Sequence, residues 1–330
     1  MDSPEHCCDA VPVPEMRVLT EQHVESLLDL SELRRALTEA MIGLSNGLAD
    51  VPPRVGTNTQ NGLLLAMPGY LAGVGLAAKL ISLYPDNVDA PSHQGVIILF
   101  DHTDGTPVAM LDAELISGAR TAGAAAIATD VMARPDAKNL TIVGGGAQAI
   151  SHAKAFATLR PWAEVTVVNR SQSGSVVVAA AAREAGAAKA TVTASEDLEG
   201  AIVGADVVAL CTHANQPVID AAWVQPGTHV SSVGSQAELP PELASAARVI
   251  VEWRDCVTTP PPAGAIELQH LDPASVIELG ELLQDDSLGR SDDAQITIYK
   301  STGHAVQDVA AAAMIYRLAV EQGVGSTVAV

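Results

Sequence analysis

The sequence predicts an α/β fold with a parallel, doubly wound sheet. Three observations carry that expectation. From Asn139 onward, short apolar runs alternate with longer helical segments, the pattern of strands joined by crossover helices. A glycine cluster, Gly144-Gly145-Gly146, directly follows one apolar run. Hydrophobic residues make up 48% of the chain but aromatics only 3%. Small aliphatic side chains suit helices that lie close on a sheet.

The elements can be justified in order. Residues 20–48 read as one helix, because Leu27, Leu30, Leu33, Leu37, Met41 and Leu44 recur at helical spacing. The segment VPPR (51–54) ends it, since consecutive prolines cannot continue a helix. Residues 62–70, 75–85 and 95–100 read as strands. Residues 100–112 read as a hairpin with Asp104-Gly105 at its turn. Residues 114–133 form an Ala-rich helix that Arg134-Pro135 closes. Residues 140–149 then give a strand, the glycine cluster and a helix start. A second strand spans 162–170, and a helix over 176–186 ends on Gly186. Further strands are expected at 205–212, 227–234, 247–252 and 295–300. A helix is expected around 273–284, and a last one over 304–322.

Charge and composition narrow the function. The net charge is −21, so nucleic acid is an unfavourable partner. No apolar stretch reads as a membrane span. The first residues, MDSPEHCCDA, are acidic and lack the apolar core of a secretory signal. Residues 1–15 read as a loose tail. The four cysteines, Cys7, Cys8, Cys211 and Cys256, form no C-x-x-C pair, and no metal site is expected. A cytoplasmic location follows.

The segment Gly144-Gly145-Gly146-Ala147-Gln148-Ala149 fits G-x-G-x-x-A between a strand and a helix. In that setting it is a dinucleotide fingerprint of the Rossmann type. Gly144 permits the tight turn, and Gly146 lets backbone approach a pyrophosphate held at the helix N-terminus. The second strand ends in Asn169-Arg170-Ser171, where an NAD-specific site carries Asp or Glu. A guanidinium pairs with a 2′-phosphate that a carboxylate would repel. NADPH is therefore the expected cofactor, with NADH weaker. Stacking of Arg170 on adenine, or simple exposure, remains the alternative.

Three basic residues stand out in so acidic a chain. Arg54 follows two prolines, Lys79 sits in the apolar run GLAAKLISL, and Arg120 sits in the small-residue helix SGARTAGAAA. A cation among apolar neighbours is costly unless it meets an anion. Together they suggest one site for a carboxylate, with Arg as clamp and Lys as mobile charge or proton source. A snorkelling surface cation is the alternative for each alone. Thr121 is a candidate donor to a cofactor phosphate.

Longer segments then match a known family. VPPR (51–54), AAKLISLYPDN (77–87), PSHQ (91–94), SGARTAGAAAIAT (117–129), GGGAQA (144–149), VVNR (167–170), GADVVALCT (204–212), PGTHVSSVGS (226–235) and KSTGHAVQD (300–308) resemble the ornithine cyclodeaminase/μ-crystallin family. The resemblance covers nearly the whole chain and is nearest to the branch of ketimine reductases that use NADPH. It implies a homodimer acting on a small imino acid. It also implies a substrate-binding and dimerisation domain over 16–118 plus 302–330, and a Rossmann domain over 119–301. Arg54, Lys79 and Arg120 match the family's substrate-site residues. Asn169 and Arg170, with Ser171 beside them, match its 2′-phosphate site, and Thr212 and Val233 fall on the cofactor side. One departure bears on the reaction. Cyclodeaminases carry Asp after V-G-A, whereas this chain reads Val233-Gly234-Ser235-Gln236. Gln236 cannot act as a carboxylate base. His304 stands where relatives usually have an apolar residue and is a candidate pocket-wall group. The resemblance leaves other chemistries open: an open-chain amino-acid dehydrogenase, an N-alkyl amino acid forming reductase, a cyclodeaminase and a non-catalytic binding protein.

The cofactor reading makes a direct prediction. Arg170→Asp should weaken NADPH binding strongly and NADH binding little, because the charge swap acts at the 2′-phosphate alone. Equal losses in the two titrations would remove this role from Arg170.

Overall fold

Two eight-stranded sheets organise the described part of the chain. The computed structural model describes residues 14–187, 191–234 and 236–330, with backbone alone over 191–195. Cys7, Cys8, Ser235 and residues 1–13 of the tail expected over 1–15 lie outside the described residues.

The first half runs β1 (Glu15–Leu19), α1 (Glu21–Leu27), α2 (Leu30–Ser45), β2 (Ala49–Asp50), β3 (Val55–Asn58), β4 (Leu63–Leu71), β5 (Gly75–Leu83), β6 (His93–Phe100), β7 (Pro107–Asp112) and α3 (Glu114–Met132). The second runs β8 (Asn139–Val143), α4 (Ala147–Ala157), β9 (Glu164–Val168), α5 (Gln172–Glu184), β10 (Thr191–Ser195), α6 (Leu198–Val203), β11 (Val207–Leu210), β12 (His229–Ser232), α7 (Pro241–Ala246), β13 (Arg248–Val251), β14 (Ile277–Glu278), α8 (Leu279–Leu282) and β15 (Thr297–Lys300). The chain closes with α9 (Ala305–Gln322) and β16 (Ser326–Ala329).

The first sheet has the order β16-β1-β7-β6-β5-β4-β2, with β3 paired to β4. It is antiparallel except where β1 meets β7. The long β4–β5–β6 meander matches the strands expected from sequence, and the β6–β7 hairpin turns through Asp104-Gly105. The second sheet is parallel throughout, in the order β10-β9-β8-β11-β12-β15-β13-β14. From β8 the chain moves outward through β9 and β10, then returns to place β11 on the other side of β8. The gap between β8 and β11 is the switch point where open parallel sheets bind ligands.

Three expectations need correction. The helix expected over 20–48 is broken at Leu28-Asp29, where Leu28 is extended at φ −75° and ψ 100°. Asp29 accepts from Ser31 N and Glu32 N at 2.8 and 2.9 Å, and so starts a new helix. The helix around 273–284 is instead a short turn, β14 and α8. Ile277 pairs with Ile250 of β13, and sheet pairing there overrides local helix propensity. The tail expected over 1–15 does not include Glu15, which opens β1, a strand paired with β16 and β7. β16, β10 and β3 were not legible as strands.

The two sheets share one apolar core around α3. This helix is buried on nearly every side and packs against α2, α4 and α9. Its small residues follow from that crowding. A Cβ on Gly118 would lie 2.5 Å from Ser151 Oγ of α4, so only glycine allows this approach. α9 lies across β4 and β5. As a result Arg120 on α3, Lys79 on β5 and the first turn of α9 are brought together. Among the described residues, no helix is long and apolar enough to cross a membrane.

Candidate active site

The three basic residues converge from separate segments. Lys79 is 1% exposed and its Nζ lies 2.8 Å from the Asp308 carboxylate on α9. It also donates to Ser117 Oγ at 3.3 Å. Arg120 donates through Nε to the same carboxylate at 3.0 Å and through Nη1 to Gln307 Oε1 at 2.7 Å. Arg54 reaches in from the proline turn. Its Nη2 donates to the carbonyls of Thr302 and Gly303 at 2.6 and 2.5 Å.

Electrostatics follow from this crowding. Burial, then the Arg120 charge, push the Lys79 ammonium down to about 7, with Asp308 opposing. Burial and Arg120 also lower Arg54, against Glu252 and Asp308. The two cations hold the Asp308 carboxyl below the usual carboxylate range despite its burial. In this cluster Arg54, Lys79 and Arg120 face the carboxylates of Asp308 and Glu252. One positive charge is left over when Lys79 is protonated, and it suits a monoanionic ligand.

A small pocket opens beside Arg54, lined by Pro52, Pro53, Met67, Trp253 and His304 among others. The His304 ring stands 5.6 Å from Trp253, tilted by 45°. Burial pushes His304 down to about 4, so it is a neutral wall at physiological pH. A larger surface cavity near Arg160 and Arg290 contains none of these residues.

The cofactor candidates line the C-terminal edge of the parallel sheet. Gly144 follows β8 with φ +141°, and a Cβ there would lie 2.6 Å from the Cys211 carbonyl oxygen. Gly146 starts α4 with no side-chain cap, and a Cβ on it would meet nothing within 4 Å. Gly146 and Ala147 are exposed at the start of α4, and a helix N-terminus open to solvent fits a dinucleotide pyrophosphate. Asn169 folds over Gly145 and Gly174, its amide donating to Ser171 O and Oγ at 3.3 and 3.2 Å. Ser171 in turn caps α5. Arg170 is exposed beyond this turn. Thr121 is buried on α3.

The loops after β11 and β12 are tied together from below. Thr212 donates through N and Oγ1 to Glu238 at 2.9 and 2.6 Å. Ser232 Oγ and Gly234 N reach the other Glu238 oxygen at 3.0 and 2.6 Å. Lys300 links Gly234 O to Glu267. Val233 follows β12, bonded to Leu210 O. Gln236 makes its hydrogen bond away from the cation cluster. It is exposed and lies 3.3 Å from His213 Nε2, beside His93.

Sequence reasoning missed Asp308, Gln307, Glu252, Trp253 and Glu238. A signal existed for Asp308, the lone acid within AVQDVAAAA. The burial cost that singles out Lys79 and Arg120 applies equally to it.

The chain belongs to the ornithine cyclodeaminase/mu-crystallin family, whose model matches residues 14–323. Fold and family together define the class, an NAD(P)-dependent oxidoreductase. Among named relatives, an alanine dehydrogenase of Archaeoglobus fulgidus is 29% identical over 325 residues, 95% of this chain and 98% of its own. The ketimine reductase mu-crystallin of Mus musculus is 32% identical over 262 residues, 77% of this chain and 80% of its own. The structure of Thermococcus litoralis Δ1-pyrroline-2-carboxylate reductase, in complex with NADH and L-proline, superposes with TM-score 0.87 at 30% identity. That match covers 95% of this chain and 100% of the other.

The shared counter-ion yields a prediction. Asp308→Asn leaves Lys79 and Arg120 buried without their common carboxylate, which should cost about 3–5 kcal/mol in urea unfolding. Adding Lys79→Met should recover part of the loss. An unchanged unfolding midpoint for Asp308→Asn would show that the carboxylate is dispensable to the fold.

Proposed function

We propose that this chain reduces small cyclic ketimines, Δ1-pyrroline-2-carboxylate or Δ1-piperideine-2-carboxylate, to proline or pipecolate with NADPH. The observation that carries the reading is the surplus positive charge where Arg54, Lys79 and Arg120 meet. It suits a substrate with one carboxylate. The relatives named above, among them a ketimine reductase and a Δ1-pyrroline-2-carboxylate reductase, support the same chemistry. Bound NADPH supplies the hydride.

The protein's own residues then have defined tasks. Arg54 and Arg120 hold the carboxylate, which fixes the imine carbon relative to the nicotinamide. Lys79 gives its ammonium proton to the imine nitrogen, so that hydride on carbon and proton on nitrogen balance the reduction. An amine with a value of about 7 is well matched to proton transfer near neutrality. Solvent water reprotonates it. Trp253 and His304 form a neutral wall that keeps bulk water from the ring. Gly144, Gly146, Ala147, Gln148 and Thr121 hold the dinucleotide phosphates, with Thr212 and Val233 beneath it. Asn169, Arg170 and Ser171 face the 2′-phosphate and favour NADPH over NADH.

In this reading the first sheet with α9 forms the substrate-binding and dimerisation unit, and the parallel sheet forms the cofactor unit. Exposed Val55 and Leu64 on β3 and β4 suit a homodimer contact. The neutral amide of Gln236 disfavours cyclodeamination. Loss of a positioned base costs about 10²–10⁴ in rate.

Two outcomes test the proposal. NADPH should be oxidised in the presence of Δ1-pyrroline-2-carboxylate, with no ammonia released from ornithine. Robust ornithine turnover without imine reduction would overturn it, and faster turnover of pyruvate with ammonia would favour an open-chain dehydrogenase. Because Lys79 acts as an acid, kcat/KM should fall as pH rises through about 7. Substitution by Met should abolish that limb, and a limb that survives Lys79→Met belongs to another group.

A further inference from the structure

Glu252 directly follows β13, in the parallel sheet, yet its side-chain partners lie in the turn after β15 and in the first turn of α9. It is 1% exposed. One oxygen accepts Ser301 Oγ and Gln307 Nε2, both at 2.7 Å. The other accepts the backbone N–H groups of Thr302 and Gly303 at 3.0 and 2.9 Å. Three of the four partners lead to an arginine. The Thr302 and Gly303 carbonyls are the acceptors that hold Arg54. The Gln307 carbonyl oxygen is the acceptor that holds Arg120 Nη1.

We propose that Glu252 is the positioning residue for the substrate carboxylate site, setting both arginines from the cofactor sheet through the 301–303 turn and through Gln307. The proposal rests on the reading that Arg54 and Arg120 bind that carboxylate. Glu252 itself hydrogen-bonds neither arginine. Its role is orientation, and the chemistry of a carboxylate is required for it. Four donors converge on two oxygens, and each bond to an ionised acceptor is stronger than a neutral one. An amide of the same shape cannot replace it. If the amide nitrogen faces the 301–303 turn, two backbone N–H groups meet an NH2 group and the turn must loosen, releasing Arg54. If it faces Gln307, that side chain must flip to accept. The flip points the NH2 group of Gln307 at Arg120 Nη1, donor against donor. Either way one arginine loses its acceptor.

The test compares Glu252→Gln, Gln307→Met, Arg120→Met and the double variant Glu252→Gln/Arg120→Met in the full chain. Binding of NADPH is followed by fluorescence titration, and kcat and KM are measured with Δ1-pyrroline-2-carboxylate. Glu252→Gln should raise KM at least tenfold, with NADPH affinity within twofold of the parent. Gln307→Met, which cuts only the Arg120 arm, should raise KM by a smaller factor, and it carries the test if Glu252→Gln does not fold. The double variant should be little worse than Arg120→Met alone, since without Arg120 the Gln307 amide can flip to accept from the new amide at position 252 while the 301–303 turn keeps its acceptor oxygen. A folded Glu252→Gln with unchanged KM, or fully additive losses, would overturn the proposal while Arg120→Met still raises KM. If Arg120→Met leaves KM unchanged, the carboxylate reading falls, and this proposal with it.

Discussion

A single buried carboxylate, Asp308, makes the rest of the site possible. Lys79 and Arg120 are nearly sealed from solvent. Isolated charges at that depth are unfavourable by several kcal/mol each. Asp308 meets both within 3.0 Å and offsets much of that cost. It does not neutralise the cluster. Arg54 adds a further cation and Glu252 a further carboxylate, which leaves one positive charge over when Lys79 is protonated. A site with excess charge is less stable than a fully paired one, and binding of the missing partner relieves it.

The polar networks are arranged by sheet. Asp308 and Gln307 stand on α9, over the antiparallel meander. Glu238, Lys300 and Glu267 lie under the loops of the parallel sheet, where they fix the backbone after β11 and β12. Glu252 belongs to the second sheet by position and to the first network by contact. The turn between β15 and α9 is thus the place where the two units are held in register. It is built of hydrogen bonds to ionised groups, which are directional and short. Apolar packing alone would set the distance between sheets but not the angle of an arginine.

The helix α3 makes the complementary contribution. It lies between the layers, so the side chains of its central stretch, residues 117–126, must be small. Arg120 is the exception, and it has room because its head group leaves the helix surface toward α9. Close approach at Gly118 brings α3 against α4, whose N-terminus faces the glycine turn. The buried cation cluster and the glycine turn are therefore linked through one pair of packed helices.

Much of this was readable in the sequence by itself. The alternation after Asn139, the glycine cluster and the meander over 62–100 follow from local periodicity and from residues with special backbone freedom. Lys79 and Arg120 were visible because a charge in an apolar run needs a reason. Tertiary structure alone decided the rest. β1 and β16 pair from opposite ends of the chain, and no local pattern reports a partner so distant. The 273–284 segment became strand and short helix because β13 offered an edge. Gln307 and Glu252 are unremarkable as letters, since a hydrogen bond between residues separated by 55 positions leaves no periodic trace. The sequence determined which residues were too costly to bury alone; the fold decided which of them would be buried together, because only three-dimensional proximity lets opposite charges offset one another.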